Sequence, residues 1–130
     1  MSLRRVLLLF VGAAGCGDAL AQDPIDVGLA ELPCASGPAA PGQPWESAEW
    51  PPFETPGCAW LRFDGRQTYR IEHELGRRPR SVGLYLSFEE AGVASAPSAG
   101  DATRILEVGP DAVTIRNGTH QDFFLKVVLE

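Results

Sequence analysis

Thr68-Tyr69-Arg70-Ile71-Glu72-His73-Glu74-Leu75, broken by Gly76-Arg77-Arg78-Pro79 and resumed from Ser81 to Glu89, is the stretch that decides the fold. In its first half Tyr69, Ile71, His73 and Leu75 fall on one face, and Arg70, Glu72 and Glu74 fall on the other. Such period-two alternation marks a half-buried strand. In its second half Val82, Leu84, Leu86 and Phe88 alternate in the same way, so all four are expected to point inward. The break holds glycine and proline, which end strands by freeing φ or removing a donor.

The same pattern extends outward on both sides. Upstream, Ala59-Trp60-Leu61-Arg62-Phe63 leads into the turn Asp64-Gly65. Downstream, Glu90 to Ala102 reads as a small-residue loop with Pro97 and Gly100. A short strand follows over Arg104 to Val108, then the turn Gly109-Pro110-Asp111. Val113 and Ile115 mark another strand, ended by Asn117-Gly118, and Phe123, Leu125, Val127 and Leu129 share one side of the last. No stretch from Ala59 onward shows helical periodicity over ten residues. The fold class expected over residues 59–130 is all-β, a small antiparallel β-sandwich of about six strands. A domain of about 72 residues is marginal by burial alone, so braces from outside it are expected.

The block Glu72-His73-Glu74-Leu75-Gly76-Arg77-Arg78-Pro79, with Val82-Gly83-Leu84-Tyr85-Leu86 after it, resembles a strand–turn–strand pattern of tail-fibre-type β-domains. From Tyr69 to Leu129 the order of elements also resembles that of H-type lectins. The resemblance implies a sandwich fold. H-type lectins place an aromatic-rich strand near their sugar site, and this sequence has no counterpart to it, so the resemblance does not carry sugar binding.

Residues 22–58 differ in kind. Residues 33–57 contain seven of the eleven prolines and show no apolar periodicity. Such a segment forms neither a helix nor a central strand. Trp45, Trp50 and Phe53 are costly in a mere spacer, so the segment is expected to fold back and cover a face or edge of the sandwich. A flexible stalk and an aromatic platform for a sugar or a proline-rich partner are the alternatives. Cys34 and Cys58 remain as a pair once Cys16 is set aside. In an oxidising compartment such a pair is read as a disulfide, closing a loop of about 25 residues and contributing roughly 3 to 3.5 kcal/mol.

Residues 1–21 read as an export signal: Arg4 and Arg5, an apolar run from Val6 to Ala14, then small residues. The run is shorter than the roughly 20 residues that span a bilayer. Ala13-Ala14-Gly15-Cys16 resembles the lipobox of bacterial lipoproteins, which implies lipidation at Cys16 and tethering at the cell envelope. Cleavage after Ala19-Leu20-Ala21 would instead release a soluble periplasmic or secreted chain from Gln22. The membrane is thus a partner only through a lipid anchor at Cys16.

The precursor carries a net charge of −6. Removing residues 1–21 takes away Arg4, Arg5 and Asp18, which leaves 9 basic and 16 acidic residues and a net charge of −7. That balance argues against nucleic acid or anionic lipid as partner. Between Gln22 and Cys58 lie Asp23, Asp26, Glu31, Glu46, Glu49 and Glu54, with no Lys or Arg.

Several residues invite chemistry. His73 lies between Glu72 and Glu74, but neighbours on a strand point to opposite faces, so it reads as a buried, hydrogen-bonded histidine. His120 and Asp122 sit beside Thr119 in the last loop, yet no serine occupies a nucleophile elbow. Glu89, Glu90 and Asp101 match no calcium loop. Asn117-Gly118-Thr119 fits the glycosylation pattern and reads better as a turn. Arg77, Arg78 and Arg80, joined by Arg66, form the strongest surface candidate. They are solvated, or receive the acidic front segment, or bind an external anion such as a sulfated or phosphorylated glycan.

The expected function is a non-enzymatic binding or adhesion module at the cell envelope, with a glycan as candidate ligand and no cofactor or metal. Its candidate ligand-binding residues are Trp45, Trp50, Arg77, Arg78, Arg80, Asn117, His120 and Asp122. The alternative is a structural accessory lipoprotein that docks on another envelope protein through an unpaired strand edge.

Overall fold

Each of the six expected runs forms a strand in the computed structural model, which describes residues 23–36, 41–51 and 55–130. The export signal with Cys16, and Phe53 and Glu54 of the proline-rich segment, lie outside the described residues. The strands are β3 (Leu61–Phe63), β4 (Thr68–Glu72), β5 (Val82–Ser87), β7 (Arg104–Val108), β8 (Ala112–Arg116) and β9 (Phe123–Leu129). Three more join them: β1 (Ile25–Val27), β2 (Trp45–Glu46) and β6 (Ala96–Pro97). Both β2 and β6 sit at sheet edges beside or containing a proline, where a missing donor breaks no ladder.

The nine strands of the described residues form two sheets. The first has the order β1-β4-β8-β7, with β1 parallel to β4 and the rest antiparallel. The pairings within residues 59–130 are antiparallel, as expected there; the parallel pair comes from β1 in the front segment, where Ile25-Asp26-Val27 is too short to display a period. In the second sheet β9 is central. It is flanked by β5 and β6 on one side and by β2 and β3, which share its other side at different heights.

Registers place apolar side chains opposite one another. Tyr69 faces Ile115 and Ile71 faces Val113 in the first sheet, while Leu84 faces Val127 and Leu86 faces Leu125 in the second. These rows meet in one core with Phe63, Leu129 and Trp45. Each fully buried side chain of this kind contributes about 1.5–3 kcal/mol. Phe88 is the exception to the expected inward row, being 72% exposed. Ser87 pairs with Phe124, so Phe88 falls level with Phe123 on the core-facing side. Its parity is that of the core row, but it lies at the end of the layer and outside the core cluster.

The front segment folds back as a strap. Trp45 is buried in the core, Ser47 N–H donates to the Val127 carbonyl at 2.9 Å, and Val127 N–H donates to Ser47 Oγ at 2.8 Å. Trp50 lies on the outer face of the second sheet, edge-on to Tyr85 at 4.6 Å and to Trp60 at 6.3 Å. Beneath it sits Lys126, the single lysine of the chain, fully buried. Its ammonium donates to the Ala48 carbonyl at 2.6 Å, lies 3.3 Å from Glu46 and stands 3.9 Å from the Trp50 ring centre. Trp60 closes the strap, its indole N–H donating to the Glu49 carbonyl at 3.0 Å. Gly92, at φ +72°, lets the chain pass that indole, since a Cβ there would lie 2.2 Å from the ring. Cys34 and Cys58 form the disulfide, with Cα atoms 5.5 Å apart.

Candidate functional site

Strand directions divide the expected site residues between two ends of the sandwich. β4 and β8 run antiparallel with Thr68 opposite Arg116, so the loop before β4 meets the loop after β8. Phe88, just past β5, belongs to this loop end. The turn from His73 to Ser81 lies at the other end, and a strand of five or six residues separates the two by about 15–20 Å.

At the loop end Asn117 is fully buried, which removes it from the candidate surface. Its amide N–H groups donate to the carbonyls of Phe63 at 3.1 Å and Gln121 at 2.7 Å. Its oxygen accepts from the N–H and hydroxyl of Thr119 at 3.0 and 2.7 Å. The residue organises the loop from within, and the same burial closes it to glycosylation. Asp122 accepts from Gly65 N–H at 2.8 Å. Gly65 is required by close approach, because a Cβ there would lie 2.7 Å from the His120 carbonyl group.

Arg66 donates through its backbone to the Thr119 carbonyl at 2.9 Å and through its guanidinium to His120 Nε2 at 2.8 Å. A guanidinium only donates, so the ring nitrogen is the acceptor in this contact. Arg66 is therefore not part of the basic turn with which its sequence context grouped it. Beside this braced loop Phe88 and Phe123 pack with ring centres 5.3 Å apart. Alternation alone assigned Phe88 to the core. Only where the strand stops being covered would have flagged it.

At the other end His73 is buried and fully bonded. Its Nδ1 accepts from Leu75 N–H at 3.1 Å, which leaves Nε2 to donate to the Gly109 carbonyl at 3.1 Å. Burial lowers its pKa below the usual 6.5. It pins the end of β4 to the β7–β8 turn and is not poised for chemistry.

Beyond it the chain turns at Glu74 (φ +52°) and Gly76 (φ +69°), and Pro79 is buried. Arg77, Arg78 and Arg80 are exposed and, with Pro41, Gly42, Gln43, Ser81 and Glu130, line a groove of about 720 Å³. None of the three makes an ion pair among the described residues. The acids of the front segment go elsewhere: Asp26 to Arg70 at 3.9 Å, Glu46 to Lys126 at 3.3 Å, and Glu31 to Gly28 N–H at 2.9 Å. Reception of the acidic segment by this turn is thus not what those three acids do.

The two tryptophans are placed differently. Trp45 is in the core. Trp50 is 44% exposed, but its ring already packs on Tyr85, Trp60 and the Lys126 ammonium. A third feature is the free edge of β7, where Ile105 and Leu106 are 46% and 53% exposed. It borders a groove of about 570 Å³ that reaches Val82 and Leu84.

Among the described residues no cluster of three His, Cys, Asp or Glu side chains has the spacing to hold a metal ion. No helix among them is long and apolar enough to cross a membrane. No protein-family model matches the chain, and no curated protein or solved structure matches it.

Proposed function

We propose that the chain is an exported, non-enzymatic binding module of the bacterial cell envelope that takes a glycan at the loop end of its sandwich. The observation that carries this reading is Phe88, 72% exposed and backed by the half-buried Phe123 ring, at the rim of a loop fixed from inside by Asn117. An exposed aromatic face pairs well with the C–H face of a pyranose ring. The exposed side chains of His120, Gln121 and Asp122 supply donors and acceptors for its hydroxyls. Because the loop is already braced, little ordering cost falls on binding. The export signal supplies the address, with a lipid anchor at Cys16 in the tethered form and a start at Gln22 in the soluble one.

The test is titration of the mature protein with a panel of neutral oligosaccharides, followed by ligand-detected NMR. Phe88→Ala is expected to weaken binding at least tenfold while leaving Tm within about 2 °C, since exposed side chains carry little stability. Full retention of binding by that variant, or no binding by the wild type, would count against the reading. A second reading, an accessory subunit that docks by its strand edge, is supported by the exposed Ile105 and Leu106 on β7. A cross-linked complex together with a silent glycan panel would favour it.

A further inference from the structure

The basic side chains of the described residues sort themselves by partner. Arg62, Arg70, Arg104 and Lys126 each stand against a carboxylate. Arg66 donates to His120 and Arg116 to Thr68 Oγ1. Arg77, Arg78 and Arg80 have neither kind of partner among the described residues, and all three fall within four positions of one turn. In a chain of net charge −6 this is a place where three cations gather without an ion pair among the described residues.

The turn that presents them is fixed. Gly76 supplies the positive φ, Pro79 is buried, and the N–H groups of Arg80 and Ser81 donate to the Glu130 carbonyl. The groove they line adds the Gln43 amide and the Ser81 hydroxyl, with Glu130 as the one carboxylate in its wall. A planar guanidinium presents paired N–H donors that match two oxygens of a sulfate or phosphate ester.

We propose that this groove binds the sulfate or phosphate esters of an anionic glycan, the Arg77, Arg78 and Arg80 guanidinia holding the ester oxygens and Gln43 and Ser81 the neighbouring hydroxyls. The choice of a glycan as carrier rests on the function proposed above; the choice of an oxyanion rests on the groove itself. The net negative charge opposes approach to an anionic bilayer. A small ester, by contrast, needs only the local field within a Debye length of about 8 Å.

A heparin-derived hexasaccharide, its desulfated analogue and glucose 6-phosphate are the probes, titrated by calorimetry at low and physiological salt. The sulfated and phosphorylated probes are expected to bind, to weaken with salt and to be displaced by inorganic phosphate. The desulfated probe is expected to stay silent. Arg77→Gln with Arg78→Gln and Arg80→Gln should lower affinity at least tenfold at unchanged Tm, while Arg62→Gln, whose cation is exposed but paired, should not. Phe88→Ala should leave this binding intact, which separates the groove from the loop end. Wild-type binding that survives the triple substitution overturns the proposal. So does binding of vesicles of phosphatidylcholine and phosphatidylglycerol without binding of either charged sugar.

Discussion

His73 shows how a single residue takes its role from the strand that carries it. Flanked by two glutamates in sequence, it shares a face with Ile71 instead, and both ring nitrogens are spent on backbone groups. That reading was available from alternation alone, because period two separates it from Glu72 and Glu74. Burial lowers its pKa, so the folded chain refuses a proton that the unfolded chain accepts. Its contribution is therefore intact above the unfolded value near 6.5 and lost as pH falls below it. Between pH 7 and pH 5 the wild type should lose more Tm than His73→Gln does, read from paired melting curves; parallel slopes would remove this role. Asn117 and Phe88 were illegible for opposite reasons. Asn-Gly reads as an exposed turn, yet the Asn117 side chain satisfies four partners inside. Phe88 has core parity, yet no layer lies above it.

At the level of elements, the six runs with clear alternation were readable, and β1, β2 and β6 were not. Strands of two or three residues carry no period, and their pairing is decided by what the longer strands leave open. The strap was legible as an intention, in three aromatics too costly for a spacer, but its fastener was not. Lys126 sits between Phe124 and Val128 in a run read as one-sided, and nothing in that spacing announces Glu46 eighty residues earlier. Removing one partner of a buried pair strands the other charge. Glu46→Ala should therefore cost about 2–3 kcal/mol, whereas Lys126→Met, which removes the charge itself, should stay within about 1 kcal/mol of the wild type. Urea denaturation of both variants decides this, and equal losses would show that the ion pair does not fasten the strap.

For the molecule as a whole, the expectation that a small sandwich needs outside braces meets the Cys34–Cys58 bridge and the strap it closes. The double substitution Cys34→Ser, Cys58→Ser should lower stability by about 3 kcal/mol, or roughly 10–20 °C in Tm for a domain of this size. A reduced protein melting within a few degrees of the oxidised one would make the bridge incidental. The candidate residues named from sequence do not form one site. Folding sends Arg77, Arg78 and Arg80 to one end, His120 and Asp122 to the other, and Trp45 inside. Sequence neighbours such as Arg77 and Arg78 stay together, whereas grouping Arg66 with them needed a register that spacing does not contain.

The buried position of Lys126 reaches into the laboratory. Apart from the α-amino group, an amine-reactive reagent finds one primary amine in this chain, and it lies under Trp50 with no solvent contact. Acylation at that nitrogen must wait for the strap to lift. Its rate is thus a clock for that opening, and the same arrangement leaves the sandwich blind to lysine-directed coupling while the strap is down.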